Sequence, residues 1–279
     1  MSQLYSKKIV GYAAYCISTL AVVISQMPRA DAASMTFSAT GTNPISGGSS
    51  TVLSAKAVFD NSIAGQFQLT LTNTGPGASA PSDVLTGIFW DYAGSPLTNL
   101  TLSSAKAPTV IKNNLTTGTN VDLTKVVQGK NTSVEWGFAK TTASTGLGGA
   151  AGVANPVTQH YGIGTAGFGI SPGFGLSGGQ QFNYGIITGY DSANPAVSGG
   201  TFVKNSATFV FSGLPTGFDL TKIQNIRFQY GTALNEPSTY YIAPPAPPKR
   251  VPESSATVAL GLFALGALRV AKKKPLVSA

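Results

Sequence analysis

Two G-x-S-x-G patterns, centred on Ser171 and Ser177, are the first candidates for chemistry in this chain. A serine hydrolase places such a serine on a strand–turn–helix elbow, within reach of a histidine base and an acid. His160 is the only histidine, and Pro172 follows the first serine directly. The patterns therefore do not support a catalytic triad. We interpret His160 as a satisfied surface or turn residue and keep a secreted hydrolase as an alternative function.

Other patterns for cofactor or metal chemistry are weaker. Gly162–Gly167 fits the dinucleotide-binding pattern G-x-G-x-x-G, but 12 of the 34 residues in 146–179 are glycine, so a chance match is expected. The strand before the motif and the helix after it, which dinucleotide binding requires, are both missing from the sequence pattern. The carboxylates are scattered without a calcium-loop spacing. Calcium bound by carbonyl oxygens and a glycosidase carboxylate pair leave no signature in one sequence. We predict no catalytic residue, no cofactor and no metal ligand.

Three aromatic residues, Trp90, Tyr92 and Trp136, have side chains that could stack on sugar rings. Neighbouring residues of a strand point to opposite faces, so at least one of Phe89 and Trp90 belongs to the core. Packing in the core is the favoured interpretation for each aromatic residue. Stacking on a polysaccharide by Trp90, Tyr92 and Trp136 is the alternative, and it would make the protein a carbohydrate-binding module.

The elements that carry these residues are short strands. Apolar and polar residues alternate at 55–59, 66–72 and 207–211, and further extended segments are expected at 84–92, 97–102, 133–138, 183–190 and 223–230. The segment 33–243 lacks helical periodicity and an internal repeat, so we predict one all-β domain, an antiparallel β-sandwich with a jelly roll as one form. Within it, 146–179 is either a long Gly-rich loop or loose strands that pack through glycine faces.

The N-terminal segment 1–32 has the features of a signal peptide. Lys7 and Lys8 precede an apolar helix-forming stretch, and Ala30 and Ala32 form an A-x-A cleavage site. We expect export through the Sec translocon and removal by signal peptidase, with a retained anchor as the alternative. The only cysteine lies within this segment, so the exported body contains no disulfide.

The C-terminal region has three parts after a Pro-rich linker at 244–251. Pro252 and Glu253 are followed by an apolar segment at 256–268 and then by a basic cluster at 269–274, which comprises Arg269, Lys272, Lys273 and Lys274; a tail at 275–279 ends the chain. Thirteen residues span about 20 Å as a helix, less than the hydrocarbon thickness of ~30 Å. We expect a short transmembrane helix that inserts transiently, with a permanent single-pass anchor as the alternative.

The charge of the chain belongs mainly to these two ends. The formal net charge is +8, but residues 33–253 hold eleven basic and nine acidic side chains, a net of +2. A surface that binds nucleic acid is therefore not expected.

The order of Pro252–Glu253, an apolar segment and a basic cluster resembles the PEP-CTERM sorting signal, which an exosortase recognises in Gram-negative bacteria that make extracellular polysaccharide. Residues 85–94, 204–219 and 228–237 are similar to stretches of exosortase-dependent surface proteins. The similar stretches, taken together, extend over most of the chain, and the part that resembles the sorting signal is 252–274. It implies a non-enzymatic protein of the cell surface or extracellular matrix, processed by an exosortase near Pro252–Glu253, inserted transiently in the inner membrane and associated with exopolysaccharide.

Overall fold

The computed structural model describes residues 34–44, 51–128, 131–171, 173–177, 182–189 and 194–243. The predicted signal peptide with Ala30 and Ala32, the linker at 244–251 and the sorting segment at 252–274 lie outside these residues. In the described ranges, no helix combines the length and the apolar character that crossing a bilayer requires.

The described residues are mostly β-strand, as the alternation predicts, and the all-β expectation is confirmed. The strands are β1 (Ser34–Asn43), β2 (Thr51–Asp60), β3 (Gln66–Asn73), β4 (Leu85–Tyr92), β5 (Thr101–Lys112), β6 (Leu115–Asp122), β7 (Val126–Gln128), β8 (Asn131–Ser133), β9 (Gly137–Lys140), β10 (Tyr161–Gly164), β11 (Ile186–Ile187), β12 (Thr201–Lys204), β13 (Ser206–Ser212), β14 (Ile223–Tyr230) and β15 (Ser238–Tyr240). Short helical turns occupy Pro81–Asp83, Pro195–Ser198 and Leu220–Lys222.

Three of the predicted extended segments are wrong in part. The segment 97–102 begins as a turn, in which the Leu100 N–H donates to the Leu97 carbonyl, and β5 starts only at Thr101. The segment 133–138 is divided between the end of β8 and the start of β9. In the predicted segment 183–190, Ile186–Ile187 is the only strand among the described residues 183–189, because Tyr184 has a positive φ of 60° that interrupts extended backbone.

The main sheet runs in the order β1-β2-β3-β13-β5-β12-β11-β4-β10-β9, with β6 paired to β5, and with β14 paired to β4 and β15. Every pairing in it is antiparallel except that of β11 with β12. β7 and β8 form a separate hairpin. The sheet therefore inserts β13 between two strands that are much earlier in the chain.

Alternation gives the first five strands of this order one buried face and one polar face. Phe59, Leu69 and Phe209 lie opposite one another across β2, β3 and β13, and all are fully buried. The polar sheet face is the other side of β1, β2, β3, β13 and β5. It carries, in register, Thr36, Ser38, Lys56, Val58, Thr70, Thr72, Ser206, Thr208 and Lys106, all exposed or half-buried.

The buried face meets the central strand β4. The Trp90 ring on β4 lies 5.7 Å from the Phe59 ring on β2, 6.5 Å from the Phe67 ring on β3 and 5.8 Å from the Phe211 ring on β13. These strands are far from β4 in the sheet order, so their apolar side chains enclose the largest part of the core between them.

The Gly-rich segment 146–179 contains strand β10 and a second buried cluster, so this part of it is not a loop. Phe168 and Phe174 pack on Phe89, which points away from Trp90. Glycines make this possible: a Cβ at Gly162 within the segment would overlap the Phe89 ring, and a Cβ at Gly137 in the neighbouring strand β9 would overlap the backbone carbonyl of Phe174. Among the described residues, aromatic rings thus pack against glycine faces, as in the second interpretation of this segment.

Candidate functional site

Two of the three aromatic residues proposed for sugar stacking are core residues. Trp90 and Trp136 both have 0% exposure, so the stacking alternative is wrong for them. Trp136 lies 5.0 Å from the Phe209 ring, and its indole N–H donates to the Tyr184 carbonyl at 2.7 Å. The indole N–H of Trp90 is buried without an acceptor among the described residues. Packing is the role that the structure gives to both.

Tyr92 is half-buried at the end of β4. Its ring stacks on Phe218 at 5.2 Å, and its hydroxyl accepts a hydrogen bond from the Asp219 N–H at 3.2 Å. Phe218 therefore covers a ring face that a sugar would need, and Tyr92 holds the turn before β14 in place.

His160 and Asp91 form a pair that spacing along the chain did not reveal. His160 Nδ1 lies 2.6 Å from Asp91 Oδ1, and the backbone N–H of His160 donates to the same oxygen at 2.9 Å. Asn225 Nδ2 donates to the other carboxylate oxygen at 2.8 Å. The His160 side chain is 35% exposed. It is a satisfied surface histidine that ties β10 to β4 and β14.

Neither serine of the G-x-S-x-G patterns joins this pair. Ser177 Oγ accepts a hydrogen bond from the Val134 N–H before β9, whereas the His160 carbonyl accepts one from the Thr141 N–H after β9. The four residues of β9 hold these points apart by roughly 13 Å. Ser171 is exposed and follows the opposite end of β10. The structure thus does not assemble the triad.

Arg227 is the most buried cation of the described residues, at 1% exposure. Its guanidinium donates to the Asn155 and Pro156 carbonyls at 3.2 and 3.3 Å and to Gln229 Oε1 at 2.7 Å. Burial lowers the pKa of this guanidinium. These bonds fasten the Gly-rich segment to β14, which is a structural task.

A concave opening on the polar sheet face is the best candidate for binding. Its volume is about 540 Å³, and it crosses β3, β13, β5 and β6. The side chains that line it are Gln68, Ser104, Lys106, Pro108, Thr119, Asn120, Thr208 and Val210. We call this opening the Lys106 groove. Three strand spacings give it a width of roughly 14 Å across the sheet.

The groove exists because β6 extends the sheet beside β5. Asn113 and Asn114 adopt positive φ values of 51° and 60°, which close the β5–β6 turn. Asn120, also at positive φ, adds a local irregularity to β6 where that strand forms the wall of the groove. Sequence reasoning missed the groove, although the alternating polar positions Gln68 and Thr208 were visible in the predicted strands.

A second opening of about 110 Å³ shares Gln68 and Val210 with the Lys106 groove and reaches Asp60 at the end of β2. A third, of about 350 Å³, shares Ile63 and Gln66 with the second and lies against the turn at 214–218. Together they extend the concave surface from β6 toward the β2–β3 turn.

Within the described ranges, no group of three or more His, Cys, Asp or Glu side chains could hold a metal ion. No family model matches the chain, and neither a curated protein nor a solved structure matches it.

Proposed function

We propose that the chain is an exported, exosortase-processed protein of the cell surface or extracellular matrix, non-enzymatic and associated with exopolysaccharide. The observation that carries this proposal is the order of Pro252–Glu253, the apolar segment 256–268 and the basic cluster at 269–274. Positive charge after an apolar segment retains the C-terminus in the cytoplasm and leaves the body outside. The signal-peptide features of 1–32 supply the matching export step.

The sorting signal is tested by changing Pro252 and Glu253 to alanine in the producing bacterium. The change should abolish C-terminal processing, so that the cell-associated protein keeps the mass of residues 254–279. Pro247 and Pro248, changed to alanine in the linker, are the matched control and should leave processing unchanged. Intact mass and cell fractionation are the measurements. Unchanged processing of the first variant contradicts the proposal, as does native protein that still carries Leu276–Ala279.

We further propose that the sheet closes as a two-layer β-sandwich. The support is the packing of Trp90 against rings of β2, β3 and β13, together with the Phe37 ring of β1 at 5.0 Å from the Tyr241 ring just after β15. Nuclear Overhauser contacts between Trp90 and Phe59 in solution check this arrangement. Their absence in a folded sample contradicts it.

The second candidate function is carbohydrate binding. The observation that favours it is the Lys106 groove, which amides and hydroxyls line. Such groups donate and accept hydrogen bonds, as sugar hydroxyls do. This version needs no aromatic platform and so differs from the expectation for Trp90 and Trp136. A hydrolase is not favoured, because Ser177 and His160 lie beyond opposite ends of β9.

A further inference from the structure

The Lys106 ammonium is the feature of the groove that restricts the class of ligand it can bind. Among the described residues, no carboxylate lies within 4.0 Å of Lys106 Nζ, and the ammonium makes no hydrogen bond with them. Asp122 is the register partner of Lys106 across the β5–β6 pair. However, Asp122 Oδ1 accepts hydrogen bonds from the Thr124 N–H at 3.0 Å and the Thr124 hydroxyl at 2.7 Å, and Asp122 does not line the groove. Among the described residues, the lining of the groove therefore presents Lys106 as an unpaired cation and contains no carboxylate.

The other lining groups specify a ligand rich in hydroxyls. Gln68 and Asn120 offer amides, and Ser104, Thr119 and Thr208 offer hydroxyls, so both donors and acceptors surround the cation. None of the described residues that line the groove is aromatic, so ring stacking on them is not the source of its affinity. The second opening continues the surface beyond Gln68 as far as Asp60, and this continuity suits a chain, with its carboxylate at Lys106 and away from Asp60, better than a compact molecule.

We propose that the Lys106 groove binds an acidic polysaccharide, with Lys106 pairing to a sugar carboxylate and the amides and hydroxyls bonding to the sugar hydroxyls. This inference rests on the second proposed function and names its ligand class. A charged hydrogen bond is stronger than a neutral one. The carboxylate should therefore decide the choice between acidic and neutral chains.

Alginate, a chain of uronic acids, is the probe, and dextran is the neutral comparison. The purified full chain in a non-ionic detergent should bind alginate and not dextran in affinity electrophoresis and calorimetry. Lys106→Gln should weaken alginate binding about tenfold, the loss expected for one charged hydrogen bond. Gln68→Ala with Thr208→Ala should weaken it as well.

Lys56→Gln is the matched control, because Lys56 is an exposed lysine on the same sheet face that does not line the groove. This variant removes the same charge and should change alginate affinity less than twofold. Equal effects at Lys56 and Lys106 overturn the proposal, since they show diffuse attraction to a basic surface. Equal affinity for dextran, or no alginate binding by the wild type, also overturns it.

The two proposals fail separately. If the alginate assay overturns the groove proposal, the expected loss of processing in the Pro252 and Glu253 variant still stands. Conversely, unchanged processing in the cell overturns the sorting signal without touching the affinity difference between Lys106→Gln and Lys56→Gln.

Discussion

The indole N–H groups of the two buried tryptophans should make Trp136→Phe more destabilising than Trp90→Phe. Both side chains have 0% exposure, so each change deletes the same atoms from the core, at a shared cost of about 2 kcal/mol. Trp136 also loses its 2.7 Å hydrogen bond to the Tyr184 carbonyl, worth about 1 kcal/mol net. At Trp90 the change removes a buried donor without an acceptor among the described residues, which relieves about 1–3 kcal/mol.

Ring packing acts in the opposite direction and limits the difference. Trp90 has five aromatic neighbours, and Trp136 has Phe209. The neighbours of Trp90 are Phe59, Phe67, Phe138, Tyr161 and Phe211. Phenylalanine keeps part of these contacts, so Trp90→Phe loses about 1 kcal/mol of aromatic packing energy. We therefore expect Trp136→Phe to lower the free energy of unfolding by about 1–3 kcal/mol more than Trp90→Phe.

Urea unfolding of the purified full chain measures this difference. The chain has two tryptophans, so each variant retains one as its fluorescence reporter. Circular dichroism must give the same midpoint, and the slopes of both variants must agree, before the free energies are compared. Equal free energies, or a larger loss for Trp90→Phe, refute the assignment of the hydrogen-bonded and unbonded indoles.

Two further predictions concern the packing of the Gly-rich segment against Gly137 of β9 and the response to alkali. Gly137→Ala should lower the free energy of unfolding by about 1–3 kcal/mol or more, because its Cβ would overlap the Phe174 carbonyl. Gly167→Ala is the neutral control, because a Cβ at Gly167 has open space around it. Equal effects of the two changes in urea titrations contradict this packing. Burial raises the pKa of Tyr230 far above its ordinary value, so its contribution to stability is complete below about pH 10, the unfolded value, and declines as the pH rises further. Tyr230→Phe should flatten the fall of the unfolding free energy above pH 10, and parallel profiles for variant and wild type contradict this.

Local alternation was enough to find β2, β3 and β13, because each buries one face against a single core. It also placed Phe89 and Trp90 on opposite faces, which is correct since they pack in different clusters. The sequence did not indicate that both faces of β4 are buried. That property depends on which other strands cover it, and no residue within β4 specifies them.

Pairings across long separations were beyond the same reasoning. β13 adds to β3 in register Thr208 to Thr70, and Asp91 meets His160 across 69 positions. The entropy cost of closing a loop grows only slowly with its length, so a strand can pair with many distant segments at a similar cost. No local sequence pattern therefore identifies β13 as the partner of β3. The Lys106 groove is missed for this reason, because its walls come from β3, β5, β6 and β13 together.

The body contains no cysteine after Cys16, so its stability must come from buried area and hydrogen bonds. Alternation divides this task within single strands: Phe209 and Phe211 point into the core, whereas Thr208 and Val210, which alternate with them in sequence, line the groove. Substitutions at the polar positions can therefore alter binding while the core is unchanged. If Lys106→Gln lowered the free energy of unfolding as much as a core substitution, this division would fail, and a loss of alginate binding would then report unfolding and not recognition.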